Sequence, residues 1–380
     1  MERCLYHPSP TLAVPRLTYN LTVRPISRFI SNLPRKPISR IRPSNVVKAS
    51  AGANHCEFSS LNSPLEPKSH VGRFLSGVLL NHRQMFHVAV SEELKLLVDD
   101  RDAAVARMAL TAGSDEDLLH RRIAQMKEHE CEIAVQDVMS LLIFYKFSEI
   151  RVPLVPKLSK CTYNGRLEIL PSKDWELESI YSVGILDLIR EHVTSMTGLK
   201  AKSSVTESWA TTEIQEFLLA RIYVASILYG YFLKSMSLRY HLERSLSVAN
   251  HDDHRAALTT RAYEIKDVIF GHMGNMQSVG QGLIKQEEEV EDIKCYMMGF
   301  NPGLFERCAK LRSKEAVNLV ESYSMALFGN EESGLIEGNN NVILTSFSTL
   351  KRLVLEAVAF GSFLWETEDY IDSVYKLRDN

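Results

Sequence analysis

Apolar residues recur along most of the chain with the three- and four-residue spacing of amphipathic helices. The spacing begins at about Val71 and predicts two helices before Gly113, a helix stop that is followed by Ser114 as the cap of the next helix. Further helices are expected over 115–147, from 184, over 211–246, over 283–300, from Pro302 with Asn301 as cap, over 313–328 and over 346–375. The pattern therefore predicts a mainly α-helical protein.

After Phe147 the helical spacing is interrupted. The stretch "EIRVPLVPKL" carries two prolines and is not expected to be helical. In "KCTYNGRLEIL", Asn164-Gly165 lies between β-favouring runs and predicts a two-residue hairpin. "DWELESIYS" is a candidate third strand, and Trp175 and Trp209 are expected to anchor the segment to the helices. We therefore expect a small β-hairpin, or a three-stranded meander, inserted into the helical chain.

An internal repeat is the most informative feature of the pattern. Residues 219–233, "LARIYVASILYGYFL", align without gaps with residues 350–364, "LKRLVLEAVAFGSFL", and five of the fifteen positions are identical. Both segments carry an apolar or small stripe at helical spacing. A weaker match relates "IAQMKEHECEIAVQDVMSLL" to "CAKLRSKEAVNLVESYSMAL". The candidate structural residues of the repeat are Tyr229, Gly230, Phe232 and Leu233 in the first copy, and Phe360, Gly361, Phe363 and Leu364 in the second.

The repeat predicts two tandem helical-bundle units. The first unit is expected over 70–246 with an insertion around 150–208, the second over 284–380, and a linker over 247–283. Gly230 and Gly361 fall in the middle of predicted helices, where glycine is unfavourable relative to alanine. We therefore expect another helix to approach the backbone closely at both positions.

Charge is distributed unevenly between the N-terminus and the rest of the chain. Residues 1–55 hold nine Lys/Arg and one acidic residue, whereas the remainder holds 35 basic and 46 acidic residues, a net charge of −11. The basic, hydroxyl-rich and proline-broken start predicts a chloroplast transit peptide over 1–49, processed near Ala49 within "VVKASAGA", and a flexible tether over 50–69. The acidic body disfavours nucleic acid as a partner.

The chain lacks the sequence motifs of common enzymes, cysteine-based sites and membrane spans. The six cysteines are scattered without a C-x-x-C pair, and the longest apolar runs, about a dozen residues, fall short of the roughly 20 that span a bilayer. The chain contains no P-loop, dinucleotide fingerprint, nucleophile elbow or H-E-x-x-H sequence. We therefore expect a protein that is not transmembrane and carries no cofactor.

Two histidine-containing stretches could suggest a metal site. In "KEHECE", His129 and Cys131 are two residues apart on a predicted helix and project to different sides, with Cys131 pointing inward. In "HDDH", His251 and His254 are three residues apart, but the neighbouring Asn250 and Asp252 favour a helix cap. Neither stretch predicts a metal site.

Two acidic residues interrupt the predicted apolar stripe of helix 115–147, which includes Leu119, Ile123 and Met126. They are Glu130 and Asp137, and the simplest explanation is a partner, either an arginine or backbone groups, on a neighbouring helix. The alternative is a carboxylate site in a helical bundle, which requires Glu-x-x-His pairs on other helices. No such pair occurs in the chain.

Four long runs identify a family resemblance. They are "SPLEPKSHVGRFLSGVLLNHRQMFHVAV", "YKFSEIRVPLVPKLSKCTYNGRLEILPSKDWELESIYS", "ASILYGYFLKS" and "LKRLVLEAVAFGSFLWETE". They closely resemble the plant UV-B-induced, chloroplast-targeted family built on the domain of unknown function 760. The resemblance implies a plastid location, expression that responds to UV-B or strong light, and a domain often present in tandem. It carries over no catalytic residue, and segment 247–295 departs from the family.

Three classes of function remain. The favoured one is a non-enzymatic interaction or regulatory protein of the stroma in stress responses, whose plastid protein partners are unknown. The second is a binding module for a hydrophobic plastid ligand, indicated only by the aromatic stripe "ILYGYFL". The third is an enzyme with a site assembled from distant residues, for which His129, Glu130 and Asp137 are the candidates.

The transit-peptide interpretation predicts the start of the imported protein. Because the basic N-terminus contrasts with an acidic body, protein purified from plastids should begin within a few residues of Ser50. N-terminal sequencing of that material checks the expectation. Retention of Met1, or a mitochondrial location of a fluorescent fusion, contradicts it.

Overall fold

A computed structural model of the chain describes residues 63–198, 210–251, 292–329, 342–378 and 380. The predicted transit peptide with Ala49, most of the tether, Trp209 and most of the linker, including His254, lie outside the described residues. The side chain of His251 does as well.

The described residues are mainly α-helical, which confirms the predicted fold class. The helices are α1 (His70–Asn81), α2 (Phe86–Leu110), α3 (Asp117–Glu149), α4 (Leu158–Cys161), α5 (Asp174–Glu178), α6 (Val183–Thr197), α7 (Glu216–His251), α8 (Pro302–Ala309), α9 (Lys314–Phe328) and α10 (Phe347–Tyr375), with a 3-10 turn at Arg83–Met85 and a helical segment at 292–298. The cap expected at Asn301 is confirmed, whereas the cap expected at Ser114 is wrong, because α3 begins after Glu116, which makes no side-chain capping bond. The side chains of Asn301, Ser313 and Ser346 accept hydrogen bonds from the first turns of α8, α9 and α10.

Within the described residues, four short strands form one sheet in the order β1-β2-β4-β3. They are β1 (Thr162–Tyr163), β2 (Arg166–Leu167), β3 (Thr211–Gln215) and β4 (Val342–Ser346). The predicted hairpin is confirmed, because β1 and β2 pair antiparallel across Asn164-Gly165 and both turn residues have positive φ. β2 then pairs parallel with β4, and β4 pairs antiparallel with β3. The sheet therefore joins the insertion to strands that directly precede α7 and α10.

Three local predictions for this region are wrong. "DWELESIYS" forms the short helix α5 instead of a third strand, and the additional strands come from outside the insertion. Residues 211–215, expected to begin a helix, form β3 because β4 offers them a hydrogen-bonding edge. Trp175 does not anchor the insertion, since 81% of its surface is exposed. Pairing between distant segments overrode local propensity in the second case.

α10 lies at the centre of the molecule. Its residues from Thr349 to Leu364 are buried apart from Lys351, and its most extensive contact is with α7. The two helices cross at Gly230 and Gly361. A Cβ atom on Gly230 would overlap the carbonyl oxygen of Val358, and one on Gly361 would overlap that of Ile227. Glycine is thus required on both helices because each backbone occupies the space of the other's side chain.

The contacts at this crossing follow the offset of the predicted repeat. The alignment matches Gly230 of α7 with Gly361 of α10, and Ile227 with Val358. In the structure Gly230 approaches Val358, and Gly361 approaches Ile227, so the two contacts are equivalent. The strands behave in the same way, because Glu213 pairs with its own counterpart, Leu344. The two segments are therefore related by a local two-fold pseudo-symmetry. They share one hydrophobic core with the other described helices, and the duplication and unit boundaries stay predictions.

A buried ion pair ties α10 to the proline-rich segment. Arg352 NH2 lies 2.9 Å from Glu356 Oε2 and donates to the carbonyl oxygen of Pro153 at 2.8 Å. The Glu356 carboxylate accepts the backbone N–H of Val155 at 3.2 Å. Burial raises the pKa of Glu356 above its ordinary value, and the charge of Arg352 opposes that rise. The pair replaces hydrogen bonds that the non-helical segment cannot make for itself.

Substitution of the two crossing glycines tests the close approach. Gly230→Ala and Gly361→Ala should each destabilise the protein by about 1 to 3 kcal/mol through overpacking. The matched control is Gly77→Ala in the interior of α1, where a Cβ meets nothing within 4 Å. That change should be neutral or stabilise the protein by about 0.5 to 1 kcal/mol. Urea unfolding measures all three, and wild-type midpoints for both crossing variants would contradict the packing.

A second stability experiment concerns the buried ion pair. Arg352→Met leaves the Glu356 carboxylate buried without its cation and should cost about 3 to 5 kcal/mol. Arg352→Met combined with Glu356→Leu should recover most of that loss, because no buried charge remains. The control is Lys127→Met at the exposed Lys127–Glu130 pair, expected to change stability by less than about 1 kcal/mol. A double variant no more stable than Arg352→Met refutes the interpretation.

Candidate functional site

The aromatic residues of the repeat are packed against other rings of the chain. Tyr229 stacks on His192 with ring centroids 4.2 Å apart, and its hydroxyl donates to the carbonyl oxygen of Leu188 at 3.3 Å. Burial raises the pKa of Tyr229 to about 12. Phe232 lies 4.7 Å from the ring of Phe305. The aromatic side chains that could have indicated a hydrophobic ligand thus pack against other side chains of the protein.

The second copy shows the same use of its aromatic residues. Phe360 lies 4.6 Å from the ring of Tyr323, and Phe363 meets Phe147 edge-on at 5.1 Å. Leu364, like Leu233 of the first copy, is fully buried. These side chains form the core around the α7–α10 crossing.

A histidine and a serine lie within hydrogen-bond distance between α6 and α7. His192 Nε2 is 3.0 Å from Ser226 Oγ, and Ser226 Oγ donates its proton to the carbonyl oxygen of Ile222 at 2.8 Å. Ser226 therefore accepts from His192, the reverse of the arrangement that activates a serine nucleophile. Burial lowers the pKa of His192 to about 4 and keeps the ring neutral. The pair connects two helices, and the sequence analysis did not single it out.

The candidate carboxylates do not converge. Asp137 Oδ2 accepts the backbone N–H and the hydroxyl of Ser69, both at 2.6 Å, and so holds the residue that caps α1. This is the partnering with a neighbouring helix that was predicted for Asp137. Glu130 is exposed and pairs with Lys127 of its own helix at 2.9 Å, so the partner predicted for it on another helix is wrong. His129 lies 3.5 Å from Glu132.

The outer half of α3 exposes the apolar stripe that the sequence predicted to be buried. Leu119 is 59% and Met126 54% exposed, and Ile123 is exposed too. α3 turns another face to α2: Cys131, buried as expected, has its Sγ 3.8 Å from the carbonyl oxygen of Leu97, and nearer the body Phe86 stacks on Tyr145 with ring centroids 5.2 Å apart. Cys131 lies about 140° around the helix from Met126. The face that meets α2 is therefore not the one that carries Leu119, Ile123 and Met126.

A cleft of about 360 Å³ continues this stripe toward the body of the protein. It lies between residues 63–68, α3 and α9, and its apolar lining includes Ile133, Phe144 and Leu319. Its charged lining consists of Glu66, Lys68, His129, Glu132, Asp137 and Glu321. Acidic residues are in the majority, although Glu132 is held by Arg378 at 2.6 Å. The cleft suits an apolar group that carries positive charge.

Metal-ligating and membrane-spanning features were also sought in the described residues. Within them, no group of three His, Cys, Asp or Glu side chains is placed to hold a metal ion. One helix, Glu216–Leu246, is long and apolar enough to cross a membrane by composition, but half of its most apolar window is buried inside the protein. A core helix of a soluble protein meets the same criterion, so this helix is weak evidence for a membrane span.

Comparison with known proteins places the chain in a family. The family model described as "Protein of unknown function (DUF760)" matches residues 118–246, from the start of α3 into α7. The chain is 31% identical over 382 aligned residues to a UV-B-induced chloroplastic protein of Arabidopsis thaliana, and the alignment covers 95% of this chain and 88% of that relative. No solved structure matches the chain. The relative supports a stress-induced chloroplast protein, and the chain belongs to the UV-B-induced chloroplast protein family that contains the domain of unknown function 760.

Proposed function

We propose that this chain is a non-enzymatic interaction or regulatory protein of the chloroplast stroma that binds other plastid proteins during responses to UV-B or strong light. The observation that carries the proposal is the exposed apolar surface on the outer part of the α2–α3 hairpin. There Leu118 is 77% exposed and lies beside Leu119 at the start of α3. Contiguous apolar side chains at the surface of a soluble protein are characteristic of sites that bind other proteins.

The two rival functions have less support from the side chains that would perform them. For a hydrophobic-ligand module, Tyr229 and Phe232 would have to line a cavity, but they pack against His192 and Phe305. For an enzyme, the candidate carboxylates would have to approach one another, but Asp137 holds Ser69, the cap residue of α1, and Glu130 faces solvent. An interaction function requires neither a cavity nor converging acids.

The stromal location and the kind of partner rest on composition and burial. The most apolar window of α7 is half buried within the protein, which favours an aqueous compartment over the thylakoid bilayer. The acidic charge of the chain after residue 55 favours protein partners over nucleic acid. The name of the Arabidopsis relative supports a role when plants receive UV-B.

Affinity capture tests the proposal. The chain with a C-terminal tag is expressed in plants and recovered from stroma of dark-kept, illuminated and UV-B-treated chloroplasts. Proteins and small molecules are quantified in the same eluate. We expect at least one protein at near-stoichiometric amount that an unrelated acidic bait of similar size does not retain. About one apolar small molecule per chain without a protein partner favours the ligand-binding alternative, and recovery of neither contradicts the proposed function.

A further inference from the structure

The stripe on α3 has the spacing of a helix-packing seam. Leu119, Ile123, Met126, Glu130 and Ile133 follow one another at alternating intervals of four and three residues. This alternation keeps side chains on one face of a helix and is the pattern by which two helices interlock. The seam spans 15 residues, or roughly 22 Å. Its apolar members above Ile133 are exposed, so no helix in the described part of the chain covers them.

The same face of α3 continues into the cleft, where α9 lies beside it. Asp137, Ser140 and Phe144 extend the alternation of three and four and line the cleft between α3 and α9. α9 packs against this inner part of α3. α3 thus has a neighbouring helix along its inner half and an open seam along its outer half. A helix laid on the outer half would end over the mouth of the cleft.

We propose that the outer face of α3, together with the cleft, is a docking groove for one amphipathic helix of a partner protein that carries Lys or Arg in its seam. The proposal deepens the proposed function, on which it rests, by naming the binding site and the class of partner. A helix fits better than an extended strand, because the backbone groups of α3 already bond within the helix. The partner needs apolar residues at intervals of three and four.

Charge defines the second property of the partner. Glu130 stands within the seam, so a helix docked there brings a side chain directly against this carboxylate. At the inner end the cleft presents Glu66 and Glu321, both exposed, against one lysine, Lys68. Glu130 pairs with Lys127 of its own helix through an exposed contact that a basic residue of the partner can share, and basic residues over the cleft face Glu66 and Glu321. An acidic helix is repelled by the same carboxylates. A second copy of the chain fits poorly, because its own seam carries Glu130 and no Lys or Arg.

Binding of two synthetic helical peptides tests the groove. Both are 21-residue designs with leucine at the seam positions; one has lysine at a central seam position and on its flanks, and the other has glutamate at those positions. Fluorescence anisotropy with the full chain should show the lysine peptide binding at least about tenfold more tightly. The chain with Glu130→Lys should reduce or reverse this preference. An unchanged preference in that variant, or equal binding of both peptides to the natural chain, overturns the proposal.

A matched pair of surface variants locates the site. Met126→Glu places a charge in the seam, whereas Leu96→Glu places one on the far side of α2 at a residue of nearly equal exposure, 57%. Met126→Glu should weaken binding of the lysine peptide by about tenfold or more, and Leu96→Glu should leave it unchanged. Circular dichroism checks that both variants remain folded. Equal effects of the two changes mean that the seam is not the binding surface.

Two further readouts separate this proposal from the proposed function. In affinity capture, the stromal partner should be lost from the Met126→Glu bait and kept by the Leu96→Glu bait. If both baits retain it equally, the interaction function stands and the α3 groove is refuted. Light scattering during size exclusion measures the oligomeric state. A dimer that Met126→Glu dissociates would make a second copy the occupant and overturn the proposal of a basic partner helix.

Discussion

The close approach of α7 and α10 is the constraint on which the rest of the structure depends. Gly230 and Gly361 allow the two backbones to touch, and each glycine faces a carbonyl group of the opposite helix. Ser362 reinforces the crossing by donating to the carbonyl oxygen of Gly230 at 3.2 Å. Because α10 is thereby surrounded on all sides along most of its length, the other helices and the sheet are arranged around it. Glycine in the middle of a helix destabilises an isolated helix. Here the close packing of the two backbones, which no larger residue permits, offsets that cost.

Two carboxylates, Glu368 on α10 and the partly buried Asp137 on α3, fix where shorter helices begin. Glu368 of α10 accepts the backbone N–H and hydroxyl of Ser313, at 2.6 and 2.5 Å, and the hydroxyl of Tyr231 at 2.5 Å. Asp137 holds Ser69 by the same two groups, so α1 and α9 each begin at a serine bound by an acid of a longer helix. Such bonds satisfy donors at a helix start and specify position, although burying a charge costs stability.

The same packing leaves part of α3 exposed at the surface. Along its inner half this helix contacts α1, α9 and α10, and its large side chains there, such as Phe144 and Phe147, are buried. Along its outer half it packs against α2, and Glu128 and Glu132 pair with Arg378, whereas Leu119 and Met126 remain at the surface. A single helix thus serves both as part of the core and as an exposed face with an unfilled seam. The family match begins where this helix begins.

The sequence by itself determined the features that depend on local spacing. Most of the helices, the cap at Asn301, the Asn164-Gly165 turn, the inward position of Cys131 and the family could all be predicted, because periodicity, capping and turn chemistry act over a few residues. Only the tertiary structure decided which faces meet. The α3 stripe was expected in the core, but its outer part is exposed, and α3 meets α2 through the face that carries Cys131, next to Leu97. β3 and β4 form because distant segments supply each other's hydrogen bonds, and no local pattern specifies a partner so far away in the chain.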